Sequence, residues 1–482
     1  MVFERTKARF FLATLAGLGG CGEPETGPVA ISAIGAPPQL LNPNLQPLEP
    51  PAALLLEAVA QGLVRFDAAG EIEPALAQSW IVSDDGLRYT FRIRRATWAD
   101  GSRVTAEQVA ARLRAAASRA SRNPLKPVLG AIESVVAMTD QVLEITLRGP
   151  RPNLLQLLAQ PEMAVLLDSR GTGPYRLEPE PGPMLRLAMP DDEDGRPSDQ
   201  PEIRLRGESA ARAVARFAEG EGDFVTGGTL ADFTLARAAE LPRNRLAFDP
   251  AQGLFGLAFS AGEGPAADPA IRRALSMAID RQALVAALGA PGLEPRVALL
   301  PGGLEELPRP AAPDWAASPL PMRRELAARA IAALDGERPI RLRVAMPDAP
   351  GYRIVFAHLR RDWRLIGVAA ERVAPGAPAD LRLIDAVAPA RLVTWYLRQF
   401  TCDSGRVCDP AADAALAAAR AAKSPGDRQR ELATADQILT SVSPFIPLAT
   451  PLRWSLVAPR LNGFRANAFA RHSVVELIAP RF

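Results

Sequence analysis

The sequence reads as about three domain-sized units that mix strands with helices, and three observations carry that reading. Its 482 residues are too many for one hydrophobic core when a domain holds ~150. Segments that alternate apolar and polar residues are interleaved with segments of helical spacing. Asp-Gly turns and side-chain caps punctuate the joins.

The chain opens MVFERTKARFFLATLAGLGGC, with Arg5, Lys7 and Arg9 ahead of an apolar run from Phe10 to Leu18. That run is far short of the ~20 residues that span a bilayer, so residues 1–20 read as an export signal. Leu18-Gly19-Gly20-Cys21 resembles a bacterial lipobox, with Cys21 as the lipidated first residue of the mature chain; ordinary secretion past a chance cysteine is the alternative. Residues 21–28 then form a tether. Two or more acyl chains hold a protein stably at a membrane surface without a spanning helix.

Composition excludes more than it assigns. With 56 basic and 54 acidic residues and no long run of either sign, no nucleic-acid partner is predicted. His358 and His472 are the two histidines, and neither has a second at metal-ligand spacing, so no metal site is expected. The mature chain has no HExxH, CxxC, P-loop, GxSxG or GxGxxG motif, so neither an enzyme nor a bound cofactor is predicted. Cys402 and Cys408, six positions apart, suit a local disulfide in the oxidising space beyond the membrane. Two free buried thiols are the alternative.

Val29 to Ile34 reads as an apolar strand, followed by a loop from Leu40 to Pro51 that contains Asn42 and Asn44. Ala53 to Val64 reads as a helix with Leu55, Ala58, Val59 and Leu63 on one side. Asp84-Asp85-Gly86 turns a hairpin, because Asp-Gly tolerates positive φ. Its second strand sets Tyr89, Phe91 and Ile93 against Arg88, Thr90, Arg92 and Arg94, a half-buried pattern. Asp100-Gly101 turns again, and Thr105 with Gln108 has capping-box spacing for a helix that runs to about Ala120.

These residues carry a family resemblance. Pro74, Leu76 to Trp80, Ser83 to Gly86, Tyr89 to Phe91, Trp98 to Gly101 and Thr105 resemble the signature region of the family 5 extracellular solute-binding proteins, the dipeptide, oligopeptide and nickel receptors of ABC importers. Gly171 to Tyr175 (GTGPY), Ala215 to Val225, Asp268 to Arg281 (DPAIRRALSMAIDR) and Ser443 to Leu448 resemble later family motifs in the same order. The third is also legible by itself, with Asp268 as cap, Pro269 at N1, and Ile271, Leu275 and Ile279 as one stripe. A Tyr-Trp pair usual after GTGPY is missing.

The resemblance implies an α/β periplasmic-binding-protein fold of type II, with two lobes, a hinge and an inserted subdomain in the first lobe. It divides the chain into lobe I at 29–52, 171–254 and 441–482, the insertion at 53–170 and lobe II at 255–440. It implies a monomeric periplasmic receptor, lipid-anchored at a membrane, that delivers peptides or a similar small polar solute to an ABC permease. An exported sensor or chaperone, or an acid-based hydrolase on the same fold, is the alternative. Peptide-binding members hold the ligand's amine on an aspartate shortly before a proline, which here gives Asp385 before Pro389. Trp395 and Tyr396 are expected to line the pocket, with Asn42 and Asn44 as further candidates.

Overall fold

A computed structural model describes residues 27–478 except 179, 192–194, 199 and 335–338. The export signal, Cys21 and most of the tether lie outside the described residues.

Two sheets form the centres of two lobes. The first has seven strands in the order Leu246–Phe248, Arg453–Val457, Phe224–Thr229, Val29–Ile34, Ile203–Glu208, Leu185–Ala188 and Arg176–Glu178. Val29–Ile34 runs parallel to both of its neighbours, and its Val29, Ile31 and Ala33 are buried. The second has five strands in the order Val368–Val373, Ile340–Ala345, Leu381–Val387, Gly253–Phe259 and Phe445–Ala449. Gly253–Phe259 is buried along its whole length, as a central strand covered on both faces must be.

The hairpin motif lies in a separate four-stranded sheet, in the order Ala77–Val82, Arg88–Ile93, Val142–Leu147 and Ile132–Thr139. Tyr89, Phe91 and Ile93 point into its core while Arg88 and Arg92 are exposed, following the alternation in the sequence. The helix beside it spans Ala106–Ala117 and opens on a full capping box of Thr105 and Gln108. Trp98, buried beneath, donates from Nε1 to Gln108 Oε1 at 3.0 Å, so the turn and the cap brace each other.

The first helix runs Pro50–Val59 instead of Ala53 to Val64. Prolines at its first two positions start it early, since an N1 proline loses no hydrogen bond. The GTGPY turn ends it: Gly173 N donates to Val59 O at 2.9 Å and Tyr175 N to Ala58 O at 3.1 Å, satisfying carbonyls the last turn leaves open. A Cβ on Gly173 would lie 2.3 Å from the Val59 carbonyl carbon, so only glycine allows this crossing. Leu54, Leu55, Ala58 and Val59 sit in the core of the first lobe, whereas the expected insertion started at residue 53.

The chain crosses between lobes twice. One crossing lies between Phe248 and Gly253, the other between Ala449 and Arg453. The return therefore comes after strand Phe445–Ala449, which pairs in the second sheet, and not at residue 441. The crossings are cross-linked, with Asp249 N donating to Arg453 O at 3.1 Å.

Candidate functional site

A cavity of about 350 Å³ lies between the lobes. The first lobe contributes Pro50, Ala53, Leu54 and Glu57, spaced i, i+3, i+4 and i+7 so that one helix face lines the wall. Thr226, Gly227 and Thr229 come from the end of a strand in the same lobe. The second lobe contributes Val387, Ala388, Pro389 and Trp395. Gln160 and Glu162 come from the insertion, and Arg453, Arg471 and His472 from the last part of the chain.

The charged groups differ in how they are satisfied. Arg471 Nη2 meets Glu162 Oε1 at 3.3 Å, while the second oxygen of Glu162, a nine-tenths buried residue, has no hydrogen-bond partner among the described residues. His472 Nε2 lies 3.1 Å from Asp249 Oδ2, tying the cavity wall to the first crossing. Burial pushes the Glu57 carboxyl up to about 7; nearby Glu162 adds to the rise, and Arg471 and His472 oppose it.

The lobes are joined across the mouth. Gln160 Nε2 donates to Pro389 O at 2.6 Å, and Asn153 Nδ2 to Arg391 O at 2.7 Å. Arg391 N donates to Gln156 Oε1 at 3.1 Å. Ala390 and Leu392 of the second lobe pack into the core of the insertion.

The residues expected from sequence are dispersed around this cavity. Trp395 lines it. Tyr396 is fully buried in a second-lobe core and is not among the lining residues. Asp385 does not line it either: Oδ2 accepts from the Tyr352 hydroxyl at 2.8 Å and Oδ1 from Arg453 Nη1 at 2.7 Å. Both oxygens are taken, and burial together with Asp385 pushes the Tyr352 hydroxyl up, keeping it a donor.

Asn42 and Asn44 line a neighbouring cavity of about 220 Å³ that shares Glu162 with the first. Asn44 Oδ1 accepts from Asn123 Nδ2 at 3.0 Å, which pins the loop to the insertion. A disulfide joins Cys402 and Cys408. Sequence reasoning missed Glu57, Glu162, Arg453 and Arg471. For Glu57 there was a signal, since it is the one charged residue in the helix PPAALLLEAV.

The family described as "Bacterial extracellular solute-binding proteins, family 5 Middle" matches residues 71–372, more than half of the chain. The chain belongs to that family. It is thus a family 5 solute-binding protein of the ABC-transporter type, with the type II periplasmic-binding-protein fold.

Two Escherichia coli K12 relatives of this family 5 protein are the nickel-binding periplasmic protein and the probable ABC transporter periplasmic-binding protein SapA. The first is 26% identical over 51% of this chain and 50% of its own, the second 27% over 47% and 48%. The chain thus spans about half the length of the curated relatives it matches. Solved structures agree over nearly the whole fold. Haemophilus influenzae OppA in complex with RPPGFSPFR has a TM-score of 0.79 at 18% identity, over 93% of this chain and 98% of that one. Campylobacter jejuni NikZ in complex with Ni(L-His) has 0.73 at 20%, over 91% and 96%.

Proposed function

We propose that the mature protein is a lipid-anchored periplasmic receptor, acting as a monomer, that captures a peptide or a similar small polar solute between its lobes and delivers it to an ABC importer. The observation that carries this reading is the inter-lobe cavity walled by carboxylates and guanidinium groups together, Glu57 and Glu162 with Arg453 and Arg471. A zwitterionic ligand complements such a wall better than a neutral one does. Its volume lies at the lower end of the roughly 300–1,000 Å³ of small-molecule sites, which suits a short peptide.

Binding is a shift between open and closed lobes, and a ligand moves that equilibrium only through contacts made better in the closed form. Gln160 to Pro389 and Asn153 to Arg391 favour the closed form with or without ligand, because separating the lobes breaks them, and the ligand adds its own contacts to both walls. The closed form is what a permease recognises. The lipobox at Cys21 supplies the anchor, and the acyl chains keep the receptor near the importer.

Native mass spectrometry of the protein purified without refolding, followed by thermal shift against a peptide set, tests this reading. A co-purifying peptide, or a peptide that raises Tm, is the expected result. A bound sugar or metal complex, with no peptide giving a shift, overturns the peptide assignment.

A further inference from the structure

We infer that Glu57 and Glu162 together form the seat for a protonated amine of the ligand, on the reading of the inter-lobe cavity as the ligand site. Asp385, the residue expected to hold an amine, has both oxygens occupied by Arg453 and Tyr352. Glu57 is the reverse case. Its side chain faces the cavity from an otherwise apolar helix, and among the described residues it accepts no hydrogen bond and joins no ion pair.

Glu162 reinforces the site. One oxygen meets Arg471, and the other is buried at the cavity wall without a partner among the described residues. A buried acceptor left unmade costs about 1–3 kcal/mol, so a small turn of the Glu162 side chain that brings this oxygen to a ligand donor gains that much. An ammonium carries three donors and matches two carboxylates that offer several lone pairs.

Charge counting agrees. Asp385 cancels Arg453, and Asp249 engages His472. Glu57 and Glu162 then face Arg471 alone, so once Glu57 is ionised the wall is one positive charge short. Glu57 also sits in the last turn of its helix, where the macrodipole disfavours an anion without a partner.

The raised carboxyl of Glu57 gives the seat a signature. Arg471 and His472 from the last segment, Glu162 from the insertion and Arg453 from the strand opposite share the cavity with it, and half of its population is protonated near pH 7 when the site is empty. An arriving ammonium displaces that proton, so affinity rises about tenfold from pH 6 to pH 8 and binding at pH 7 releases about half a proton per ligand.

The experiment compares wild type, Glu57→Gln and Glu162→Gln of the mature chain with four probes: n-butylammonium, 1-butanol, trialanine and N-acetyl-trialanine. Thermal shift reads affinity, and calorimetry in two buffers of different ionisation enthalpy reads proton release. Butylammonium stabilising the wild type but not Glu57→Gln, with weaker stabilisation of Glu162→Gln and none by butanol, supports the seat. Equal response of wild type and Glu57→Gln, or no response of the wild type, overturns it. Trialanine that binds as well as its acetylated form, in wild type and Glu57→Gln alike, also overturns the seat while the receptor reading survives. Butylammonium that passes while no peptide binds leaves the seat standing and overturns the peptide assignment.

Discussion

Arg453, at the start of a strand in the first lobe, donates to Asp385, in a strand of the second, across 2.7 Å. Both side chains are largely buried, and the Tyr352 hydroxyl completes the carboxylate's partners. Removing one member of a buried pair strands the other, which is costlier than the pair itself is stabilising. Arg453→Met is therefore expected to lower stability by about 3 kcal/mol in urea denaturation. Asp385→Asn keeps an acceptor for Tyr352 and should cost less. Because its oxygens are occupied, Asp385→Asn should weaken free-amine and N-blocked peptides alike, as calorimetry would reveal.

Asp436 is buried with one oxygen accepting from Ala311 N at 2.6 Å and the other without a partner among the described residues, and burial pushes its carboxyl up to about 6. A raised carboxyl makes the folded state the better proton binder, so its stability contribution is full below the unfolded value of 3.8 and lost as pH rises through about 6. The Tm of Asp436→Asn relative to wild type should accordingly improve from pH 4 to pH 8. A constant difference across that range would mean that Asp436 titrates as an ordinary carboxyl.

At Gly173 the chain passes too close to the end of the first helix for any side chain. Gly173→Ala sets a Cβ against main chain that cannot move without uncapping Val59, so a loss of about 3 kcal/mol or more is expected in urea denaturation. Gly376 has open space where a Cβ would be built, and Gly376→Ala serves as the control with little change.

The bond between Cys402 and Cys408 closes a short loop. On the chain-entropy relation it stabilises by about 2 kcal/mol. Replacing both cysteines by serine should shift the urea midpoint accordingly, and adding reductant to the double variant should change nothing further.

Asn153→Ala removes the donor to Arg391 O at the mouth. One hydrogen bond contributes about 1 kcal/mol net, so ligand affinity should fall about fivefold. Small-angle scattering should find the ligand-free variant more extended than the wild type. Unchanged affinity and scattering would mean that this bond does not help hold the lobes together.

Local chemistry was the legible part of the fold. The Thr105 cap with Gln108, the Asp268 cap accepting from Ala270 N, and the Tyr89, Phe91, Ile93 alternation each depend on residues within a few positions of one another. The end of the first helix was not legible, because the groups that stop it at Val59 arrive from Gly173 and Tyr175, over a hundred residues away. Asp385 looked like a ligand anchor for the same reason: its partner Arg453 is 68 positions downstream. Glu57 was closest to being found. The spacing already placed Leu55, Ala58 and Val59 on one side of the helix, leaving the lone acid on another.

The bonds that Gln160 and Asn153 make at the mouth both end on main-chain carbonyls, those of Pro389 and Arg391. A catch whose keeper is the polypeptide backbone does not depend on which side chains surround it. The second-lobe wall at Val387, Ala388 and Trp395 is thus free to be remodelled for a different cargo while the jaws keep their ability to shut.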